Sequence, residues 1–144
     1  MAVRVRLRIR KGGRAVTTSA LVSTGFEADE PQLIVSLPLA EELQLLSGRT
    51  SIGNFSTAGG GLISGYRVEE PVEVELVLED RKLPAIRAPI TVLPREAEVI
   101  MSDRLASDLG IVVLDPWRGV WCLRDELGTR ERPSAPVEEW QIRQ

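Results

Sequence analysis

Residues 20–26 have the sequence ALVSTGF, in which an apolar run ends in the small polar triplet Ser23-Thr24-Gly25. Apolar residues followed at once by turn formers predict a buried strand that ends in a tight turn. The side chain at position 23 determines which reactions this turn could support. Its hydroxyl can hydrogen-bond a water molecule, but an alkoxide is too basic to form near neutral pH, so we expect no general base here.

The composition is that of one globular domain. The chain has 144 residues, of which 43% are hydrophobic and 27% charged, and this predicts a folded core rather than a disordered chain. A net charge of -3 makes phosphate binding unfavourable, so we expect no nucleic-acid partner. No stretch reaches the roughly 20 apolar residues of a membrane span or has the form of a signal peptide. The single cysteine, Cys122, allows no internal disulfide, so we expect a cytoplasmic protein without a membrane partner.

The hydrophobic period predicts a chain made mostly of strands. Residues 3–10 alternate apolar side chains with arginines, which predicts a strand with one buried face. Residues 15–22 predict its returning partner after a glycine turn at 11–13. Further extended runs are predicted at 72–79 and 84–93. The predicted fold class is therefore all-β.

Two short helices interrupt these strands. One is predicted from Pro38, and the other from Asp103, with Ser102 as its capping residue. The segments 39–45 and 105–111 share the pattern Leu-Ala-x-acidic-Leu-x-aliphatic, and each follows an apolar strand and a turn. A short helical pattern can recur by chance, but the shared order of strand, turn and helix favours an internal duplication.

Taken together, these segments resemble the retropepsin-like aspartic peptidases, in the single-lobe form of microbial genomes. The resemblance is carried by ALVSTGF at 20–26, LIVSLPLAEELQL at 33–45, the glycine-rich STAGGGLISGY at 56–66, and AEVIMSDRLASDLGIVVLD at 97–115. It covers about Val5 to Leu123 and implies an acid-protease barrel lobe with one or two short helices that pairs as a homodimer. Beyond a domain of residues 1–124, the charged, proline-containing composition predicts a tail at 125–144, pinned by Trp140.

The resemblance also implies which residues form the site. In that family two chains pair so that two aspartates, one from each chain, hold a water molecule and act as base and acid. Ser23 stands at the position of the catalytic aspartate, Thr24 resembles the threonine that reaches across the dimer axis, and Gly25 leaves room for that approach. The implied substrate-binding residues are Phe26, Glu27 and a flap containing Ala58, Gly59, Gly60 and Gly61.

Some of these assignments have alternatives. Glu27 is either a substrate contact or a solvated loop charge, and the glycine-rich flap is either a mobile hairpin over a cleft or a plain connector. Ser102 stands where a glycine usually ends the second strand, so we expect less close packing there. The arginines of the first strand indicate either cross-strand ion pairs or a nucleic-acid surface, and the many nearby glutamates favour ion pairs. Trp117 and Trp121 indicate core or interface positions more than a ligand platform.

The residue inventory limits the possible reactions. The chain has no histidine, and its two lysines, Lys11 and Lys82, are predicted in surface turns, so we expect no base that could activate Ser23 as a nucleophile. We expect no metal site, because histidine is absent and the single cysteine has no companion, and we expect no cofactor. With Ser23 in place the hydrolase fold is expected to be inactive. Three functions stay open: a module that binds an extended peptide or unfolded segment in a dimer cleft, an active aspartic endopeptidase whose native residue at 23 is aspartate, and a purely structural dimerisation domain.

Overall fold

The computed structural model describes residues 2–56 and 61–141, with side chains for 2–54 and 61–141. Strands dominate this part of the chain: β1 (Arg4–Lys11), β2 (Arg14–Val22), β3 (Leu33–Val35), β4 (Thr50–Ser56), β5 (Leu62–Leu76), β6 (Ile86–Val92), β7 (Val99–Met101), β8 (Ile111–Asp115), β9 (Val120–Leu123) and β10 (Arg132–Pro133). The helices are α1 (Leu37–Glu42) and α2 (Asp103–Asp108), with single 3₁₀ turns at Leu45–Ser47 and Arg124–Glu126. The predicted all-β class with two short helices is confirmed.

Seven of the strands form one sheet, which closes into a barrel. Their order is β1-β2-β7-β3-β6-β5-β4, and β1 also pairs with β5, so six strands form the barrel and β4 extends β5 as an outer hairpin. The inward side chains of these strands make up one continuous core, whose largest fully buried members include Leu7, Ile9, Leu33, Leu76, Ile90 and Met101. The strands β8, β9 and β10 form a second, three-stranded sheet.

The barrel contains an internal two-fold repeat. The strand β2 runs parallel to β7, β6 runs parallel to β3, and β3 and β7 pair antiparallel between them. Ser23 donates its backbone N–H to Met101 O at 3.3 Å, and Leu93 donates equivalently to Val35 O at 3.1 Å. These matching bonds support the interpretation of the repeated pattern as a duplication.

The two helices are capped in the same way. Ser36 Oγ accepts the backbone N–H of Leu39 at 3.4 Å, and Ser102 Oγ accepts that of Leu105 at 3.1 Å. Serine at this position satisfies one of the N–H groups that a helix start leaves unpaired. The predicted cap at Ser102 is therefore confirmed, and Ser36 is its counterpart in the first half.

The arginines of β1 lie on the outer face of the barrel, and several form ion pairs. Arg4 pairs with Glu98, Arg6 Nη1 lies 2.8 Å from Glu138 Oε1, and Arg10 Nη2 lies 3.1 Å from Glu73 Oε2. The ion-pair interpretation of the alternating arginines is supported. Glu73 lies on the glutamate-rich strand β5, whereas Glu98 and Glu138 lie outside it.

The residues from 134 to 141 form a C-terminal strap across β1 and β2. Ala135 donates its backbone N–H to Arg4 O at 2.8 Å, and Glu138 donates to the fully buried Ser19 Oγ at 2.8 Å. Trp140 Nε1 donates to Thr18 Oγ1 at 2.9 Å, so the predicted pinning role of Trp140 is confirmed. The domain boundary at 124 stays a prediction. Among the described residues, no helix has the length and apolar character needed to cross a membrane.

Candidate functional site

The Ser23 triplet lies where β2 ends, beside the end of β7. Phe26 donates its backbone N–H to Ser23 O at 3.3 Å, so the triplet closes a tight turn as predicted. Ser23 is half-buried, whereas Thr24 and Gly25 are exposed. Within this chain a Cβ at Gly25 would meet only Ser23 Oγ, at the ordinary contact distance of 3.9 Å. The fold of a single chain therefore does not require glycine at this position.

Helix α2 holds the loop that follows the triplet. Asp103 donates its backbone N–H to Phe26 O at 2.8 Å, and Asp103 Oδ1 accepts the backbone N–H of Ala28 at 3.0 Å. Arg104 Nη1 donates to Asp29 O at 2.9 Å. Three bonds from two consecutive helix residues fix the backbone on both sides of the exposed Glu27.

Ser102 joins the far end of the same loop to α2. Its backbone N–H donates to Gln32 O, and its Oγ accepts the backbone N–H of Gln32, both at 3.0 Å. Ser102 is fully buried. The expectation of less close packing at this position is therefore wrong, because the hydroxyl fills the site and bridges two backbone segments.

The hairpin of β4 and β5 carries an exposed apolar face. Ile52 lies directly opposite Tyr66 in the strand register, and Tyr66 packs against the core. Because side chains alternate along a strand, Leu62 shares the face of Tyr66 and Val68, and Val68 is buried. Ile52 is 78% exposed and Leu62 is 73% exposed. The face that is buried in the barrel thus continues outward as an uncovered apolar surface.

The predicted flap residues are only partly covered by the structure. Ala58, Gly59 and Gly60 lie outside the described residues, so their assignment stays a prediction. Gly61 is described and exposed, and it immediately precedes β5.

The Ser23 hydroxyl has no hydrogen-bond partner among the side chains that the structure describes. Among the side chains of residues 2–54 and 61–141, none forms a hydrogen bond with Ser23 Oγ, and no group of three or more His, Cys, Asp or Glu is arranged to hold a metal ion. Asp103, the first residue of α2, accepts the Ala28 backbone N–H through Oδ1. The arrangement can therefore present backbone and hydroxyl groups to a ligand.

A groove of about 610 Å³ lies elsewhere, between α1 and the C-terminal strap. It is lined by Leu37, Pro38, Glu41, Glu42, Glu139, Trp140 and Gln141. None of the triplet or loop residues lines it. The groove is therefore separate from the candidate site around Ser23.

Sequence reasoning missed the groups that hold the loop. Asp103 and Arg104 appear in the sequence only as polar residues in the first turn of a helix. Their partners are backbone atoms 75 positions away, which no local pattern indicates. An aspartate directly after a capping serine is the one signal that pointed to this region.

Comparison with known proteins does not assign the chain to a family. No family model matches the chain, and no curated protein matches it.

Proposed function

We propose that the chain is a retropepsin-like lobe that forms a homodimer and binds an extended peptide in the shared cleft without cleaving it. The observation that carries this proposal is the turn at Ser23, which ends a barrel strand and leads into a loop fixed by α2. A loop held by Asp103, Arg104 and Ser102 is preorganised for binding.

The proposed absence of cleavage follows from the residue at position 23. An aspartic peptidase needs one ionised and one protonated carboxyl group around a water molecule. A serine hydroxyl can hold that water but cannot take its proton. Loss of one positioned acid–base group costs about 10²–10⁴ in rate, and a symmetric dimer loses two.

One feature supports peptide binding, and another supports the homodimer. The apolar face with Ile52 and Leu62 is uncovered in the single chain and would bury its area on a ligand. Gly25 is exposed and has no steric need for glycine within the chain, which suits close approach by a second copy. Extended peptides are commonly held by backbone hydrogen bonds of the kind that a hairpin and a fixed loop offer.

Hydrogen exchange tests the binding proposal. A pool of unfolded protein fragments is titrated in while exchange is followed in β4 and the first half of β5. We expect slower exchange there and no change in β1, because the hairpin gains contacts with the peptide and β1 does not. Unchanged exchange at saturating fragment concentration would favour the purely structural dimerisation domain.

A substitution at position 23 tests the site assignment. We expect no pepstatin-sensitive cleavage by the protein between about pH 3 and 7, and a gain of weak activity with an acidic optimum in Ser23→Asp. Ser23→Asn is the matched control, since it has the shape of aspartate without its charge. Activity in Ser23→Asp alone would also favour the alternative of an active endopeptidase with aspartate as its native residue. Cleavage by the unmodified protein and equally by Ser23→Ala would contradict the assignment.

A further inference from the structure

The internal two-fold repeat allows the surroundings of α1 and α2 to be compared residue by residue. The capping serines of the two helices correspond, and so do the residues that follow them at equal distances. On one side of each helix the corresponding pairs are Leu37 with Asp103, Pro38 with Arg104, Glu41 with Ser107, and Glu42 with Asp108. On α2, Asp103 and Arg104 hold the loop at 26–32. The same side of α1 lines the groove against the C-terminal strap.

This side of α1 is left uncovered because the corresponding loop is shorter. Ten residues, 23–32, connect β2 to β3, whereas six residues, 93–98, connect β6 to β7. Both loops begin with the same turn, since Glu96 donates its backbone N–H to Leu93 O at 3.0 Å as Phe26 does to Ser23 O. The second loop then ends four residues earlier. It therefore supplies no counterpart to the backbone segment that α2 holds.

The C-terminal strap fills this space only in part. Trp140 donates its backbone N–H to Ala97 O at 2.6 Å, which fixes the strap to the short loop. A groove of about 610 Å³ remains between the strap and α1. Leu37, Pro38 and the half-buried Trp140 give it an apolar wall. A groove of this volume accommodates a ligand of several side chains.

The polar wall of the groove is acidic. It is formed by Glu41, Glu42 and Glu139, which are all exposed and form no ion pair within the described part of the chain. None of the described lining residues is a lysine or an arginine. Carboxylates attract the side chains of arginine and lysine, and the ring of a tryptophan such as Trp140 adds a cation–π attraction.

We propose that this groove binds an arginine- or lysine-containing segment of a partner protein, in the place that the loop at 26–32 takes on α2. Two independent observations support this occupant. The repeat indicates a chain segment, because the same side of the other helix already holds one. The unpaired carboxylates select a basic segment by charge complementarity. The groove is separate from the Ser23 turn, so the inference does not depend on the homodimer or on its cleft.

Fluorescence anisotropy of a labelled peptide, titrated with the full chain, tests this groove. The probe has seven residues, the length of the segment 26–32, and alternates arginine with leucine. We expect saturable binding with a dissociation constant below about 100 µM, weakened several-fold between about 0.05 and 0.5 M NaCl. A peptide with glutamate in place of arginine should not bind. Equal binding of the two peptides would contradict the charge argument.

A triple variant locates the bound peptide. Replacement of the three groove glutamates by glutamine, in Glu41→Gln, Glu42→Gln and Glu139→Gln together, should weaken binding about tenfold, because each exposed ion pair contributes a factor of about two to three. The matched control combines Glu69→Gln, Glu79→Gln and Glu131→Gln. These glutamates are also exposed and without ion pairs in the described structure, so the net charge changes equally. Unchanged binding in the groove variant, or an equal loss in the control, would overturn the groove as the site.

Two other occupants are outcomes of further measurements. Arg143, which lies outside the described residues, follows the strap closely in the sequence. Tighter peptide binding in Arg143→Ala would assign the groove to the end of this chain and overturn the partner, whereas unchanged binding supports it. Self-association that disappears in the groove variant would assign the groove to a second copy. These variants leave Ser23 and the β4–β5 hairpin unchanged, so failure here leaves the proposed function standing.

Discussion

Replacement of Glu126 by glutamine should destabilise the protein by about 3 kcal/mol, because this carboxylate holds the buried Arg132 in place. Glu126 Oε1 accepts Arg132 Nε at 2.8 Å and the backbone N–H of Leu123 at 3.0 Å, while Oε2 accepts Arg132 Nη2 at 2.7 Å. Glu126 and Arg132 are each only 7% exposed. Glutamine keeps the size of the side chain but loses the charge and one acceptor.

The magnitude follows from these contacts. Breaking a buried ion pair costs about 3–5 kcal/mol, and the lower end applies here because Arg132 also reaches Asp80 at 2.9 and 3.0 Å. The Arg132 hydrogen bonds lower the pKa of Glu126 from its ordinary value of 4.5 to about 2. The pKa is lowered because the ionised carboxylate is the form that Arg132 stabilises, and this is the interaction that glutamine removes.

Urea unfolding at one low protein concentration measures this loss. The control is Glu73→Gln, which removes the charge from the exposed pair with Arg10 and should cost about 0.5 kcal/mol or less. In thermal unfolding the Glu126 variant should melt about 10 °C lower. A loss below about 1 kcal/mol, or an equal loss in the control, would refute the argument from burial.

The pH dependence gives an independent check. Because the pKa of Glu126 is lowered in the folded state, its contribution is present above about pH 4.5 and is lost as the pH falls toward about 2. The difference in unfolding free energy between the unmodified protein and Glu126→Gln should therefore shrink over that range. A constant difference would contradict the ionic origin of the stabilisation.

Three further predictions concern local packing. Gly119→Ala should lower the free energy of unfolding by at least about 1–3 kcal/mol, because φ is +71° and the new Cβ would lie 2.9 Å from Ser134 Cβ; an unchanged urea midpoint would contradict this. Ser36→Ala should cost about 1 kcal/mol in urea unfolding and Ser102→Ala about 2 kcal/mol, since Ser102 Oγ accepts a second backbone N–H; equal losses would show that the loop bond contributes little. The Cys122 thiol is fully buried, and its pKa is raised by burial, so Ellman's reagent should label it only after unfolding; rapid labelling of the folded protein would argue against that burial.

Local patterns predicted the parts of this fold that depend on neighbouring residues. Strict alternation in β1 and a serine before α2 are signals within one strand or one turn, and both were confirmed. The repeated pattern at 39–45 and 105–111 also indicated the two-fold relation of the barrel. These features follow from side-chain alternation along a strand and from helix capping, and both depend on residues that are close together in the sequence.

Features that depend on contacts between distant residues could not be predicted from the sequence. The closure of β1 on β5, which makes the barrel, joins segments more than 60 positions apart. The exposure of Trp117 beside the burial of Trp121 follows from the turn at Asp115, whose Oδ1 accepts the backbone N–H of Trp117, rather than from the type of residue. For the candidate site, the sequence predicted the turn at Ser23, but it could not indicate that Asp103 would hold the following loop.

The C-terminal strap has a consequence for biosynthesis. Arg4 donates its backbone N–H to Ser134 Oγ at 2.8 Å, 130 positions away, and its carbonyl accepts the N–H of Ala135. A ribosome releases β1 long before it adds these residues, and the β1 pairing with β5 also awaits later synthesis. Contacts of such long range form slowly. The first strand can pair early with β2, but its other edge and its contacts with the strap must remain unmade during most of translation, and we expect the nascent chain to depend on chaperones until the strap has left the ribosome.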